Sequence, residues 1–185
     1  GQVIDSPIAN ESHIYLTPLY HAETRLAETL LALNSGEHPL PDIDFERAVT
    51  WVEAQVELEL APSQREALEA AVRNKVLVLT GGPGVGKTTL IQSVLAIFSA
   101  KKLRCLLCAP TGRAARRLGE TTKREAKTIH RLLEFNPGKG GFQFDQDRPL
   151  ECDAVILDEA SMVDTVLMYQ LTRAIPKHAA FLVVG

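Results

Sequence analysis

Residues 76–90 read VLVLTGGPGVGKTTL: an apolar run, a glycine-rich turn that fits Gly-x-x-x-x-Gly-Lys-[Ser/Thr], and the opening of a helical pattern. Four glycines without a Cβ let successive backbone N–H groups curl around a phosphate and point at it. Lys87 offers a compact charge for the β- and γ-phosphates, and the Thr88 hydroxyl suits Mg²⁺. The predicted phosphate-binding set is Gly82, Pro83, Gly84, Val85, Gly86, Lys87, Thr88 and Thr89. Such a loop needs a strand before it and a helix after it, and Val76–Leu79 and Lys87–Ala100 have those patterns. That helix would also aim its N-terminal dipole at the phosphates.

Apolar strands alternating with helices continue outward from the loop. The pattern predicts strands at 103–109, 154–157 and 180–184, with helices at 64–73, 112–118, 128–133 and 163–174. This rhythm implies an α/β fold whose parallel sheet is covered by helices on both faces, with ligands collecting at the carboxyl ends of the strands. Ser63 and Glu66 read as a capping box for the helix at 64–73. Residues 134–151 interrupt the rhythm with Asn-Pro-Gly-Lys-Gly-Gly between Phe135 and the pair Phe142 and Phe144, the pattern of an inserted hairpin or loop with Gly138–Gly141 at its tip.

Upstream, residues 1–60 form a small, mainly helical and acidic segment. Its first dozen residues look irregular, a short strand is expected over 14–17, and Thr17 with Pro18 opens a helix that stops near Gly36. A second helix places Phe45, Val49, Val52 and Val56 on one face. The segment reads as a packing appendage to a lobe spanning 61–185.

The chain of 185 residues has the composition of a globular domain, with 45% hydrophobic and 23% charged residues. Its net charge of −3 hides an asymmetry: residues 1–60 hold eleven acids and two bases, whereas residues 101–131 hold ten bases and two acids. A basic stretch just after the nucleotide unit suits a polyanion. No apolar run approaches the roughly 18 residues of a membrane span, and no signal-peptide pattern is present, so a cytoplasmic location and no membrane partner are expected. Cys105 and Cys108 lie in a strand pattern, where residues three apart face opposite ways, so buried thiols are expected rather than a zinc or redox pair.

After Ala154-Val155-Ile156-Leu157 come Asp158 and Glu159, at the strand end where the phosphates should lie. Nucleotide hydrolysis needs one carboxylate for Mg²⁺ and another to orient and deprotonate the attacking water. Asp158 is assigned to the metal with Thr88, and Glu159 to the base; with Lys87 they form the predicted catalytic group.

The series GGPGVGKTT (81–89), APTGRAARRL (109–118), KTIHRLL (127–133) and VILDEASMVD (155–164) resembles the N-terminal motor lobe of the RecD-like superfamily 1 DNA helicases. The resemblance implies a RecA-like P-loop lobe, ATP with Mg²⁺ as cofactors, and ATP-driven movement on single-stranded DNA, 5′ to 3′ in that family, in recombination or repair and alongside other subunits of those processes. It also implies that Gln64 reads the adenine edge, which a side-chain amide can do by donating and accepting together. Pro110, Thr111, Gly112 and Arg113 match one DNA-contacting segment, and Thr128 and His130 another. Free amides at a helix start with nearby arginines suit DNA phosphates, although the adjacent Arg116 and Arg117 diverge too far to face one partner. Phe142 and Phe144 could stack on bases or pack on their own turn.

The sequence departs from the family pattern where it ends on Phe181-Leu182-Val183-Val184-Gly185, since the family continues into a γ-phosphate sensor and a second lobe that carries an arginine finger. The expectation is a fragment that hydrolyses ATP feebly, because such a finger is worth about 10³ to 10⁵ in rate. A nucleotide-switched DNA- or protein-binding module, the helicase portion of a conjugative relaxase, and RNA as substrate are the competing expectations.

Overall fold

The computed structural model describes residues 3–8, 11–82 and 84–185. Strands β1 (Val3–Ile8) and β2 (Glu11–Leu16) form an antiparallel hairpin, with Val3 opposite Leu16 and Asp5 opposite Ile14. This corrects the expected irregular start and the short strand over 14–17. The hairpin leads into helix α1 (Thr17–Asn34), with Leu16 at the cap position and Pro18 in the first turn, where a missing N–H costs nothing. Helix α2 (Phe45–Val56) is capped by Asp44, whose carboxylate accepts from the Arg47 N–H at 3.2 Å, and ends on Glu57 in the left-handed region.

Helix α3 (Pro62–Arg73) starts earlier than the Ser63 cap would put it. Pro62 takes the first turn, Ala61 stands at the cap, and the Gln64 side chain reaches back to accept from the Ala61 N–H at 2.9 Å. Beyond it come β3 (Val76–Leu79), α4 (Lys87–Ala100), β4 (Cys105–Ala109), α5 (Gly112–Thr122), β5 (Ala126–Thr128), α6 (Ile129–Leu132), β6 (Ala154–Leu157), α7 (Thr165–Ala174) and β7 (Ala180–Val184). Strand β5 is not among the expected elements. Helix α6 is shorter than 128–133. Helix α7 begins two residues later than 163, because Asp164 caps it by accepting from the Leu167 N–H at 2.8 Å, and a 3₁₀ turn occupies Ala160–Met162.

Strands β3 to β7 form one sheet in the order β3-β7-β6-β4-β5, with every pairing parallel. A parallel sheet needs cover on both faces, and alternate residues supply it. Leu77 and Leu79, Cys105 and Leu107, Ala154 and Ile156, and Leu182 and Val184 join one core with α2, α3, α4 and Leu118 of α5. Val76, Leu106 and Cys108, Val155 and Leu157, and Phe181 and Val183 join the other, with Leu30 and Leu33 of α1, Ile129 and Leu132 of α6, and Leu171 and Ala174 of α7. Cys105 and Cys108 thus do face opposite ways. The acidic segment contributes to both layers: α1 packs along α7, and Val49 and Val52 of α2, each 0% exposed, lie in the core of the α4 layer.

In 134–151, one isolated antiparallel bridge, Asn136 to Gly141, closes a 3₁₀ turn at Pro137–Lys139, with no flanking strands among the described residues. Phe142 and Phe144 pack against the α1/α7 core, and Arg148 lies over the Phe144 ring, 4.5 Å from its centroid. Gln143 N–H donates to Leu133 O at 3.0 Å and Leu150 N–H to Ala174 O at 2.8 Å, so both ends of the excursion are fastened. Among the described residues no helix is long and apolar enough to cross a membrane.

Candidate functional site

Because all five strands run the same way, the segments that follow them emerge along one edge of the sheet: Thr80–Gly86 after β3, Pro110–Gly112 after β4, the Thr128–Ile129 junction after β5, Asp158 and Glu159 after β6, and Gly185 after β7. Among the described residues, those assigned to the phosphates, the metal, the catalytic group and DNA lie at this edge, and Gln64 approaches from α3.

The phosphate loop is held by main-chain and side-chain bonds of its own. Gly86 caps α4 at φ +88° and Gly84 sits at φ +80°, both in the left-handed region that L side chains avoid. Lys87 Nζ donates to Gly81 O at 2.7 Å, folding the ammonium over the loop. The loop is fastened to the middle of the sheet, where Gly185 N–H donates to Leu79 O at 3.0 Å and Gly81 N–H to Gly185 O at 3.2 Å. Thr88 and Thr89 stand half-buried in the first turn of α4, and Pro83 lies outside the described residues. A pocket of about 280 Å³ lies against Gly81, Val85, Gly86 and Lys87 and is walled by Ser63, Gln64 and Ala67 of α3. Gln64 Nε2 contacts Val85 O at 3.5 Å, so its amide rests on the loop as well as capping its own helix.

Strand β6 delivers Asp158 to the edge two strands from the loop, with β7 between. The Asp158 N–H donates to Cys108 O at 3.0 Å, and its carboxylate accepts from the Glu159 N–H at 2.9 Å. Burial holds the Asp158 carboxyl above its ordinary range; the Glu159 N–H bond opposes that, the Glu159 charge adds to it, and the charges of Lys87 and Arg117 oppose it. Glu159 has a left-handed backbone, φ 54° and ψ 41°, a conformation a non-glycine residue keeps only under constraint from its surroundings. Directly after it the 3₁₀ turn brings Ser161 N within 3.2 Å of where a Cβ on Gly185 would stand.

Thr88 and Asp158 are oxygen donors, a set that fits Mg²⁺ completed by phosphate oxygens and water. Among the described residues there is no group of three or more His, Cys, Asp or Glu placed to hold a metal by itself, so a cation here would lean on a phosphate ligand.

Farther along the edge, the Thr111 hydroxyl caps α5 by accepting from the Ala114 N–H at 3.2 Å. Thr128 caps α6 in the same way, from the Arg131 N–H at 3.2 Å. Arg113 is exposed beside the first cap. Of the diverging pair, Arg116 bonds to Glu120 at 2.8 Å one turn on, whereas the Arg117 charge is felt at Asp158. His130 is exposed and its ring lies 5.6 Å from Phe135 and 5.5 Å from Phe142 by centroids. Phe142 thus packs between the core, His130 of α6 and Phe135 of its own turn.

Four contacts escape the sequence reading: Lys87 on Gly81 O, the two Gly185 bonds, and a bond from Gln92 of α4 to Thr121 O of α5 at 2.7 Å. The two Gly185 bonds are main-chain contacts that follow from strand order, whereas Lys87 and Gln92 donate from their side chains. The apolar cysteines are another matter of burial: it pushes Cys105 up to about 11 and Cys152 up to about 12, and raises Cys108 further.

The AAA domain model matches residues 64–185. The chain is 38% identical over 189 residues to the ATP-dependent RecD2 DNA helicase of Deinococcus radiodurans, an alignment covering 98% of this chain and 26% of that protein. It is 34% identical over 199 residues to the RecBCD enzyme subunit RecD of Mycobacterium tuberculosis, covering 93% of this chain and 32% of that one. A chain from a structure of DNA unwinding at forked duplex DNA by two coordinating Pif1 helicases aligns with TM-score 0.44 and 20% identity, covering 68% of this chain and 33% of that chain. The chain spans about a quarter to a third of the length of the curated relatives it matches.

Proposed function

Since this chain belongs to the AAA domain family and is RecD-like in sequence over nearly its whole length, we propose that it is the ATP-binding motor lobe of a DNA helicase that moves 5′ to 3′ on single-stranded DNA in recombination or repair. The observation that carries the reading is the shared edge: phosphate loop, paired carboxylates and two threonine-capped helix starts all follow parallel strands of one sheet. Gly82 to Thr89 cradle the phosphates of ATP, with Lys87 on the β- and γ-phosphates. Thr88 and Asp158 hold Mg²⁺, which neutralises phosphate charge when bound. Glu159 takes the proton of the attacking water, and Gln64, already resting on the loop, reads the adenine edge. Pro110 to Arg113, with Thr128 and His130, hold the DNA backbone, using helix-start amides and the exposed guanidinium.

The division of labour places nucleotide binding in 61–185, with α1 and α2 as a brace, one on each face of its sheet. Alone, these residues turn ATP over slowly, since an arginine finger supplied from outside a P-loop site is worth about 10³ to 10⁵ in rate. The test is Glu159→Gln, assayed for Mg-ATP binding and for hydrolysis with and without single-stranded DNA. Binding is retained and hydrolysis falls to background. Unchanged turnover removes Glu159 as the base, and a wild-type chain that fails to bind Mg-ATP overturns the whole reading.

A further inference from the structure

Helix α4 starts at the phosphate loop and helix α5 starts at the segment assigned to DNA, and the two pack side by side. Their apolar contact is through one buried cluster, in which Leu118 of α5 sits with Leu90, Ile91 and Leu95 of α4. Apolar packing of this kind is non-directional and leaves the register of one helix on the other loosely specified. Two polar ties add direction: Gln92 Nε2 donates to Thr121 O of α5 at 2.7 Å, and the guanidinium of Arg124, just beyond the end of α5, donates to Ser99 Oγ of α4.

Both ends of the first tie are informative. Gln92 lies four residues after Thr88, so it stands on the same face of α4, one turn beyond the residue assigned to Mg²⁺. Thr121 is in the last turn of α5, where carbonyls have no partner within the helix. The carbonyls of Arg117 and Leu118 are occupied locally by the hydroxyls of Thr121 and Thr122, at 2.7–3.1 Å. The Thr121 carbonyl alone of these three is taken by a neighbouring helix.

We propose that Gln92 is a positioning residue that couples nucleotide and DNA binding. It makes α4 and α5 one rigid pair, so that a displacement of the first turn of α4 by a bound nucleotide moves Thr111–Arg113 at the opposite end of α5. The inference rests on the functional reading above. Coupling between sites is reciprocal, so DNA must change nucleotide affinity by the same factor.

The test uses the full chain, a fluorescent ATP analogue with Mg²⁺, and a short oligodeoxythymidylate. In the wild type, saturating DNA shifts the nucleotide Kd by about fivefold or more. Gln92→Met, which keeps the shape and deletes the donor, lowers that coupling factor by at least about threefold while each ligand alone binds with little change. Gln92→Lys restores a donor at the same reach and recovers the coupling. A residue that merely caps α5 would move thermal stability and leave the coupling factor where it was, and that result overturns the inference. Should Gln92→Met fail to fold, Ser99→Ala opens the second tie and must lower the factor; an unchanged factor there counts against the inference equally. A wild-type chain that binds nucleotide with no influence of DNA overturns the functional reading and the inference together.

Discussion

Replacing the loop glycines one at a time with alanine separates backbone strain from crowding. At Gly82 an added Cβ meets nothing within 4 Å and the backbone is outside the left-handed region, so Gly82→Ala should stay within about 0.5 kcal/mol of wild type. At Gly84 the space is equally open but φ is +80°, and the left-handed penalty for an L residue, about 1–2 kcal/mol, stands alone. At Gly86, φ is +88° and the added Cβ lands on the Gln64 amide. That amide end can swing aside, but it leaves the Ala61 N–H and Val85 O, at a further cost of about 1 kcal/mol. The expected order of destabilisation is therefore nothing, about 1–2 and about 2–3 kcal/mol, read as urea midpoints by circular dichroism at constant slope. A loop that escapes the strain by giving up its left-handed residues loses less stability, but its amides turn away and nucleotide affinity falls about tenfold for each 1.4 kcal/mol lost. The reasoning is refuted if Gly86→Ala matches Gly82→Ala in both stability and nucleotide affinity.

Val52→Ala should cost about 2 kcal/mol and lower a single cooperative unfolding transition, since the deleted methyls lie in the core shared with α4; a separate early transition would show that α2 melts alone. Asp158→Asn should stabilise the chain at neutral pH. The folded state holds this carboxyl above its ordinary 3.8, so it binds the proton more tightly than the unfolded chain does. Stability from the group is present below the unfolded value and declines as pH rises toward the raised one; denaturation midpoints across that range should converge in acid and diverge above it. Thiol titration with a disulfide reagent at mildly alkaline pH should be slow in the native chain and rapid in urea, with half-buried Cys105 reacting before Cys108; fast native labelling of Cys108 would contradict its burial.

The strands that carry the site were legible because each is a continuous apolar run ending in a residue with evident chemistry, as in Val76–Leu79 before the loop and Ala154–Leu157 before Asp158. Strand β5 was not, since Ala126-Lys127-Thr128 has a single apolar residue and is defined by its pairing with β4. The β1–β2 hairpin hides for a related reason: Val3, Ile14 and Leu16 share one exposed face, so its alternation does not read as inside and outside. The cap of α3 lies at Ala61, two residues before Ser63, because Pro62 takes the first turn of the helix. The tip of 134–151 turns where its glycines suggest, yet Phe142 and Phe144 face the α1/α7 core instead of pairing across strands. Candidate site residues can be proposed from their motifs, whereas bonds such as those of Gly185 to Leu79 and Gly81 join segments distant along the chain and follow from topology.

Strand β7 works as a spacer of fixed gauge between the loop and the acids. Two inter-strand steps separate β3 from β6, roughly 10 Å at ordinary sheet spacing. Under the proposed function, that span leaves room between loop and acids for a terminal phosphate and its hydrated cation. Between the two stands Gly185, bonded to Leu79 and Gly81 on one side and close to the Ser161 amide on the other. Gly185 puts no side chain into that span, and its two bonds tie the start of the loop to the end of β7.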